Sequence, residues 1–309
     1  LPISVLITCI IWFAVPVPDG VDPNAWHLLA LFVGTIAAII GKAMPIGAVS
    51  MVAIALVALP GVTNPGSAKA ALADALSGFS NELIWLIGVS IMVSLSLNKT
   101  GLGARIGYYF ISLFGKKTLG IAYSLAIAET VLAPVTPSNT ARGGGIIHPI
   151  MRSIADSFGS KADDGTSGKI GRYLALVNYN TNPITSAMFI TATAPNPLIV
   201  TLIVQEAGKG AELSWSMWAV AAFLPALISL ITMPLVIYFL YKPEITATPD
   251  APEFARERIR ELGPVSLPEK ITLGVFILLL ALWAGVPGWL FGSEYNVNPT
   301  TAAFIGLAA

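Results

Sequence analysis

Apolar residues run along this chain in long stretches separated by short polar punctuation. The stretches cover residues 1–17, 26–41, 46–60, 83–98, 119–135, 141–154, 173–204, 215–241 and 270–291, and another begins near Thr300. A hydrocarbon core of about 30 Å is crossed by roughly 20 apolar residues in a helix, so most of these runs have the length of a membrane span. The punctuation is of the turn-forming kind: Asp19-Gly20-Val21-Asp22-Pro23-Asn24, Thr63-Asn64-Pro65-Gly66 and Lys161-Ala162-Asp163-Asp164-Gly165. The longest hydrophilic stretch, 242–269, sets Pro249, Pro252, Pro264 and Pro268 around Arg256, Arg258 and Arg260. It reads as a surface linker between two halves of a membrane domain.

Composition agrees with a membrane layout. Hydrophobic residues make up 55% of the chain and charged residues 11%, with a mean hydropathy of +0.77, whereas a soluble domain carries about 25% charged residues. Too few polar groups remain to cover a soluble surface, so lipid is the solvent for much of the chain. A net charge of zero argues against a nucleic-acid partner. The single cysteine, Cys9, lies in an apolar run and reads as a small core hydrophobe rather than a disulfide or metal ligand. The seven tryptophans fall mostly near span ends and form an interfacial belt.

Positive charge sets the orientation. If the first span leaves the cytoplasm and 119–154 enters and leaves on one side, inside loops hold fourteen of the seventeen Lys and Arg residues. Outside loops hold two, Lys69 and Lys209, and Arg142 completes the total. Cytoplasmic loops are enriched in Lys and Arg. A single crossing at 119–154 would put the 242–270 cluster outside, so that layout is rejected. The segment Gly103 to Phe114 is expected as an amphipathic helix lying on the cytoplasmic face.

The segment that carries chemistry is 119–154. Its second arm contains Arg142, Gly143-Gly144-Gly145, His148 and Pro149, a poor composition for a free span. A re-entrant hairpin with its tip at Pro134-Val135-Thr136-Pro137-Ser138-Asn139-Thr140 explains both the short arms and the parity. Irregular backbone at membrane depth is tolerated only against protein or a cavity. Pro134 and Pro137 end the first arm, and Ser138 or Asn139 can cap the second, leaving backbone N–H groups aimed into a cavity. The positive end of that half-helix, the Asn139 amide and the hydroxyls of Ser138 and Thr140 suit an anion. An ordinary serine cap after a proline loop is the alternative.

Glu129, Arg142 and His148 fall at membrane depth, where ionisable groups are candidates for function. Arg142 either balances the charge of a bound dicarboxylate or pairs structurally with Glu129. His148 is read as packing near the cytoplasmic end of its arm, with a substrate or proton role as the alternative. The triple glycine reads as close helix packing, not as a phosphate loop. A second broken helix is expected at 173–204. There Asn178, Asn180, Thr181, Asn182-Pro183, Thr185 and Ser186 interrupt the first part, and Thr191 to Pro197 breaks the helix outright. Carbonyls freed there, with Thr193 and Asn196, can bind substrate or a coupling cation; a polar kink satisfied by neighbouring helices is the alternative. No metal-pair motif such as His-Glu-x-x-His exists, so an intramembrane hydrolase using Ser138 or His148 is set aside. No ring-forming filter is visible, which sets aside a channel.

These motifs resemble the divalent anion/sodium symporter family, which includes the INDY-type carboxylate transporters. The Ser-Asn-Thr signature of its hairpin tip stands here as Ser138-Asn139-Thr140, and its broken-helix motif as Thr193-Ala194-Pro195-Asn196. The longer run Thr136 to Gly144, with Tyr241-Lys242-Pro243-Glu244, resembles the branch of citrate, tartrate and 2-oxoglutarate/malate exchangers. The resemblance implies an all-α polytopic membrane protein, with scaffold and transport domains built as inverted repeats, and an elevator-type homodimer. It implies scaffold spans one to four with the interfacial helix over 1–118, the hairpin over 119–154 and transport-domain spans over 155–241. A cytoplasmic linker then covers 242–269, and 270–309 begins a second repeat, of which roughly 150–200 residues are expected to be missing. Substrate contacts are implied for Pro137, Ser138, Asn139, Thr140, Arg142, Thr193, Pro195 and Asn196, and cation contacts for Ser138, Asn139 and Thr193. No cofactor or resident metal is expected; sodium is the one candidate coupling ion. The expected activity is carboxylate exchange with Arg142 in the role of sodium, with sodium-coupled symport as the alternative. The expected membrane is a bacterial inner membrane, or else the plastid inner envelope.

Overall fold

The computed structural model describes residues 1–309, the side chain of Lys209 excepted. Among the described residues the chain is helical, without strands beyond one isolated bridge between Lys117 and Ala247. It divides into two compact units, Leu1–Ile84 and Trp85–Ala309.

The first unit begins with α1 (Pro2–Cys9), which widens into a π-helical turn at Ile10–Ala14. Helices α2 (Pro23–Ile40), α3 (Ile46–Ala58) and α4 (Ala68–Leu76) follow. Pro23 opens α2 where its missing N–H costs nothing, and Asp22 accepts from the Asn24 N–H at 2.7 Å. Gly34 lets α2 approach α1, since a Cβ there would collide with the Thr8 hydroxyl. Ile3, Phe13 and Leu59 stay exposed, as residues whose solvent is lipid do. Cys9 is exposed as well, against the expectation of a core position. The α1 sequence is apolar on nearly every side, so its pattern does not say which side faces protein.

The second unit holds α5 (Glu82–Thr100), α6 (Leu102–Phe114) and α7 (Thr118–Leu132), which ends in a 3₁₀ turn at Ala133–Val135. An extended tip leads into a π-helical stretch, Thr140–Ile147, continuous with α8 (His148–Ser157). Then come α9 (Gly171–Met188), α10 (Pro195–Ala207), α11 (Trp215–Leu240), α12 (Ala251–Glu261), α13 (Leu267–Trp283), α14 (Val286–Phe291) and α15 (Pro299–Ala308). Four helical segments are long and apolar enough to cross a bilayer: Pro23–Ile40, Glu82–Thr100, Thr118–Val135 and Trp215–Leu240. Burial separates them. Two thirds (67%) of Thr118–Val135 is buried, against 22% of the apolar window of Trp215–Leu240, so the first arm is packed in protein whereas most of α11 is exposed.

One strap of chain ties the start of the first arm to the loop beyond the second. Residues 244–248 bond to the start of α7: the Thr118 hydroxyl donates to Ile245 C=O at 2.6 Å, and Thr118 N–H to Thr246 C=O at 3.1 Å. The same strap receives the loop beyond the second arm, with Glu244 N–H on Gly168 C=O and Ile245 N–H on Lys169 C=O. Asp164 orders that loop; bonds from the hydroxyl and N–H of Thr166 hold its carboxyl below the usual carboxylate range.

Two expectations change here. The hydrophilic stretch 242–269 is more than a surface linker: it contains α12, whose Ala251, Pro252 and Ala255 are buried where it packs on α6. Helix α6 is correspondingly held between α7 and α12, and its Gly103 and Gly107 allow Ile146 and Ile150 of the second arm to come close. At the end of the stretch, Ser266 and Glu269 form a reciprocal cap on α13. Glu269 also takes Arg105 of α6 through both oxygens, at 2.7 and 3.2 Å.

Candidate functional site

The tip is built by local chemistry. Pro134 sits in the 3₁₀ turn, and Thr136 and Pro137 are buried in extended backbone between the arms. Ser138 Oγ accepts from Ala141 N–H at 3.2 Å, and Asn139 Oδ1 from Thr140 N–H at 2.8 Å. The Ser138 carbonyl accepts from Arg142 N–H at 3.0 Å. The N–H groups of Thr140 and Ala141 are therefore capped by their own neighbours instead of pointing free into a cavity. Ser138 and Asn139 are half-buried and Thr140 is exposed, so the tip is reachable at these three side chains.

Behind the tip stands Arg142, with no exposed surface. Its Nη1 donates to Thr136 C=O at 2.9 Å and to Ala192 C=O at 3.0 Å. Its Nη2 donates to Ser186 Oγ at 2.8 Å and Thr185 Oγ1 at 3.3 Å. Its Nε lies 3.5 Å from Oε1 of Glu129, which is also fully buried. One guanidinium thus collects a carbonyl from the hairpin tip, a carbonyl from the helix break and two hydroxyls of α9. An isolated charge in that place would be costly, and this one is both paired and hydrogen-bonded. The two readings of Arg142 meet in one position: it pairs with Glu129 and puts a fixed cation among the oxygens of the tip and the break.

The break itself is shorter than expected. Helix α9 runs unbroken through Pro183 to Met188, and only 189–194 is irregular. Pro183 removes the bond to the Tyr179 carbonyl on a side where Tyr179 is 77% exposed. The polar residues expected to interrupt the helix lie instead largely on one face. Asn178, Thr181, Asn182, Thr185 and Ser186 recur at the helical repeat, and all but the half-buried Asn182 are buried. Asn182 Nδ2 bridges Glu129 Oε1 and the Asn139 carbonyl, the latter at 3.0 Å. Thr185 also reaches Glu129 Oε1, at 3.2 Å. That spacing was readable in the sequence; its partner was not.

Carbonyls freed at the tip and the break are mostly occupied. Thr191 Oγ1 donates to Pro134 C=O at 2.6 Å and accepts from Trp215 Nε1 at 3.0 Å. Asn196 is buried and donates to Ser186 C=O and Phe189 C=O, at 2.8 and 2.9 Å, closing the end of α9. Thr193 is half-buried and Pro195 exposed, and neither bonds to the tip among the described residues. The structure therefore brings Ser138, Asn139, Arg142, Thr191 and Ala192 into one connected cluster, and leaves Thr193 and Pro195 at its edge. His148 is exposed on the second arm rather than packed. Of the three glycines, Gly143 faces Asn182, whose Nδ2 would lie 2.6 Å from an added Cβ, whereas Gly144 has open space.

A family model described as "Sodium:sulfate symporter transmembrane region" matches residues 1–309. The chain is 49% identical over 306 residues to the protein named "Putative malate transporter YflS" of Bacillus subtilis, covering 99% of this chain and 61% of that protein. It is 41% identical to "Dicarboxylate transporter 1, chloroplastic" of Spinacia oleracea, covering 99% of this chain and 51% of the relative. It is 35% identical to the "L-tartrate/succinate antiporter" of an Escherichia coli strain, covering 91% and 58%. The chain thus spans between about half and three fifths of the length of these relatives.

Proposed function

The chain belongs to the sodium:sulfate symporter transmembrane-region family, and from that premise we propose that it forms part of a secondary transporter exchanging small di- or tricarboxylates across a membrane. The relatives' names describe transporters of malate and other dicarboxylates and a tartrate/succinate antiporter, and transport rather than catalysis is the reading adopted here. The anion is held at the tip by Ser138, Asn139 and Thr140, with Pro137 shaping the turn and Thr193, Pro195 and Asn196 bordering it from the break. A carboxylate arriving there takes over the N–H groups of Thr140 and Ala141 from their side-chain caps, at the positive end of the second arm. In this reading two copies form an elevator-type dimer. The membrane is a bacterial inner membrane, with the plastid envelope as the other candidate.

A single observation carries exchange over sodium symport: the guanidinium of Arg142 already fills the oxygen cage between Thr136 C=O and Ala192 C=O. A sodium ion cannot use those two carbonyls while the guanidinium holds them. An arginine stays charged at any working pH, so the cage keeps its cation without recruiting one from solution. The sodium-coupled alternative would draw on Ser138, Asn139 and Thr193, whose carbonyls already accept from Arg142 N–H, Asn182 Nδ2 and Asn196 N–H. Counterflow in proteoliposomes preloaded with dicarboxylate tests this. Uptake that needs internal carboxylate and is indifferent to sodium is expected; strict sodium dependence without a counter-substrate would sink the reading.

A further inference from the structure

Glu129 is not used by the exchange reading as it stands, yet it is the buried acid nearest the tip. One of its oxygens, Oε1, faces Arg142, Asn182 and Thr185. The other, Oε2, is buried and carries no hydrogen bond, and the same holds for Arg142 Nε, Thr136 Oγ1 and Asn178 Oδ1. An ionised carboxylate with one dry oxygen is the expensive form of this group in a low-dielectric interior. Helix α9 faces Glu129 with Asn182 and Thr185 and the second arm with Arg142, while α6 and α11 bond to α7 near its start, at Ser124 and Tyr123. Arg142 is the one charged side chain acting on Glu129 among the described residues.

The charge of this pair matters to an anion. While Glu129 is ionised, the Glu129–Arg142 pair is neutral overall, and a dianion at the tip meets no net positive charge behind it. A proton on Glu129 Oε2 leaves the charge of Arg142 uncompensated, two residues beyond Thr140. Asn182 gives the two sites a direct mechanical link, since its amide holds both Glu129 Oε1 and the Asn139 carbonyl of the tip. An anion that displaces the Asn139 backbone therefore also disturbs a bond that favours the ionised acid. Anion and proton each favour the other's binding, and such linkage is reciprocal.

We propose that Glu129 is a proton-binding site coupled to the carboxylate site, taking a proton from water onto Oε2 as the dianion settles at the tip. This rests on the exchange reading above. The O–H bond at Oε2 forms as one O–H bond of a hydronium ion breaks and water leaves, and the charge added to the site by the anion is partly offset by the proton. The transporter then moves proton and dianion together in one direction and releases both on the other side.

Two measurements on the full-length protein test it. The first adds tartrate, whose carboxyls stay ionised near neutral pH, to purified protein in weak buffer with a pH-indicator dye. Uptake on the order of one proton per bound anion is expected. The second measures tartrate counterflow in proteoliposomes at about pH 6 and about pH 8, where the apparent KM should be lower by about tenfold at the acid value. Glu129→Gln should abolish both effects and hold KM near its acid value, whereas His148→Gln, on the second arm, should keep the pH dependence. Should Glu129→Gln fail to insert, proton uptake by the unmodified protein still decides. Exchange with equal KM at both pH values and no proton uptake overturns this proposal alone, as does loss of the pH dependence in His148→Gln. No exchange of any carboxylate at either pH overturns the transport reading, and this proposal with it.

Discussion

Gly143→Ala and Gly144→Ala form a matched pair whose outcomes the packing of the second arm separates. A methyl at Gly143 meets the Asn182 side chain, with Nδ2 at 2.6 Å and Cγ at 3.0 Å. Asn182 cannot yield without leaving Glu129 Oε1 and the Asn139 carbonyl. A hydrogen bond to a charged group contributes about 1.5–3 kcal/mol and one between neutral groups about 0.5–1.5 kcal/mol. Alanine returns roughly 0.5–1 kcal/mol through its better helical propensity. The net destabilisation expected for Gly143→Ala is therefore about 1–4 kcal/mol. At Gly144 nothing lies within 4 Å of the added atom, so only the propensity gain remains, about 0.5–1 kcal/mol in the stabilising direction. Apparent melting temperatures of the purified full-length variants in one detergent read the difference. Gly143→Ala should melt several degrees below the parent, at about 2–4 °C per kcal/mol, and Gly144→Ala at or above it. Equal melting of the two variants would refute the placement of Asn182 against Gly143 and with it the bridge from Glu129 to the tip.

Other expectations are more direct. Arg142→Lys keeps the charge but replaces a planar fork with a point donor that cannot serve Thr136, Ala192, Thr185 and Ser186 together; counterflow should fall by about a hundredfold or more. Retention of the parental rate would show that the bonds, as opposed to the charge, are dispensable. Asn139→Ala should abolish carboxylate exchange while the protein still reaches the membrane at normal abundance, and unchanged uptake would remove Asn139 from the site. Where α6 meets α13, Arg105→Ala and Glu269→Ala should each lower stability by about 2–4 kcal/mol, because each leaves a largely buried partner uncompensated. The double variant should lose far less than the sum, a coupling of about 1–3 kcal/mol in a double-mutant cycle of thermal unfolding; strict additivity would dissolve the pair.

Much of this arrangement was legible because it is local. Lipid as solvent demands long apolar runs. Pro134 and Pro137 end one arm and Ser138 caps the next through atoms three residues away, as proline geometry and a serine cap require. The strap at 244–248 holds the start of the first arm beside the loop beyond the second. The misreadings share a cause. Polar residues in α9 look like interruptions when counted along the chain, but their helical spacing makes them a face. Similarly, α12 looked like linker because its charges and prolines outweigh the few alanines that it buries on α6.

By itself, then, the sequence determined a polytopic helical protein and a proline-broken stretch with a capped second arm. Only the tertiary structure decided what Arg142 does. Its partners Thr185, Ser186 and Ala192 lie 43 to 50 residues away, and its pairing with Glu129 depends on how two arms and a third helix face one another. The physical reason is that lipid tails and protein interiors are both apolar, so a hydrophobic pattern says that a helix crosses the membrane without saying which side meets protein. That choice is made by polar groups finding one another across large separations. Here it gathers a guanidinium, a carboxylate and the loose carbonyls of two broken elements into one cluster.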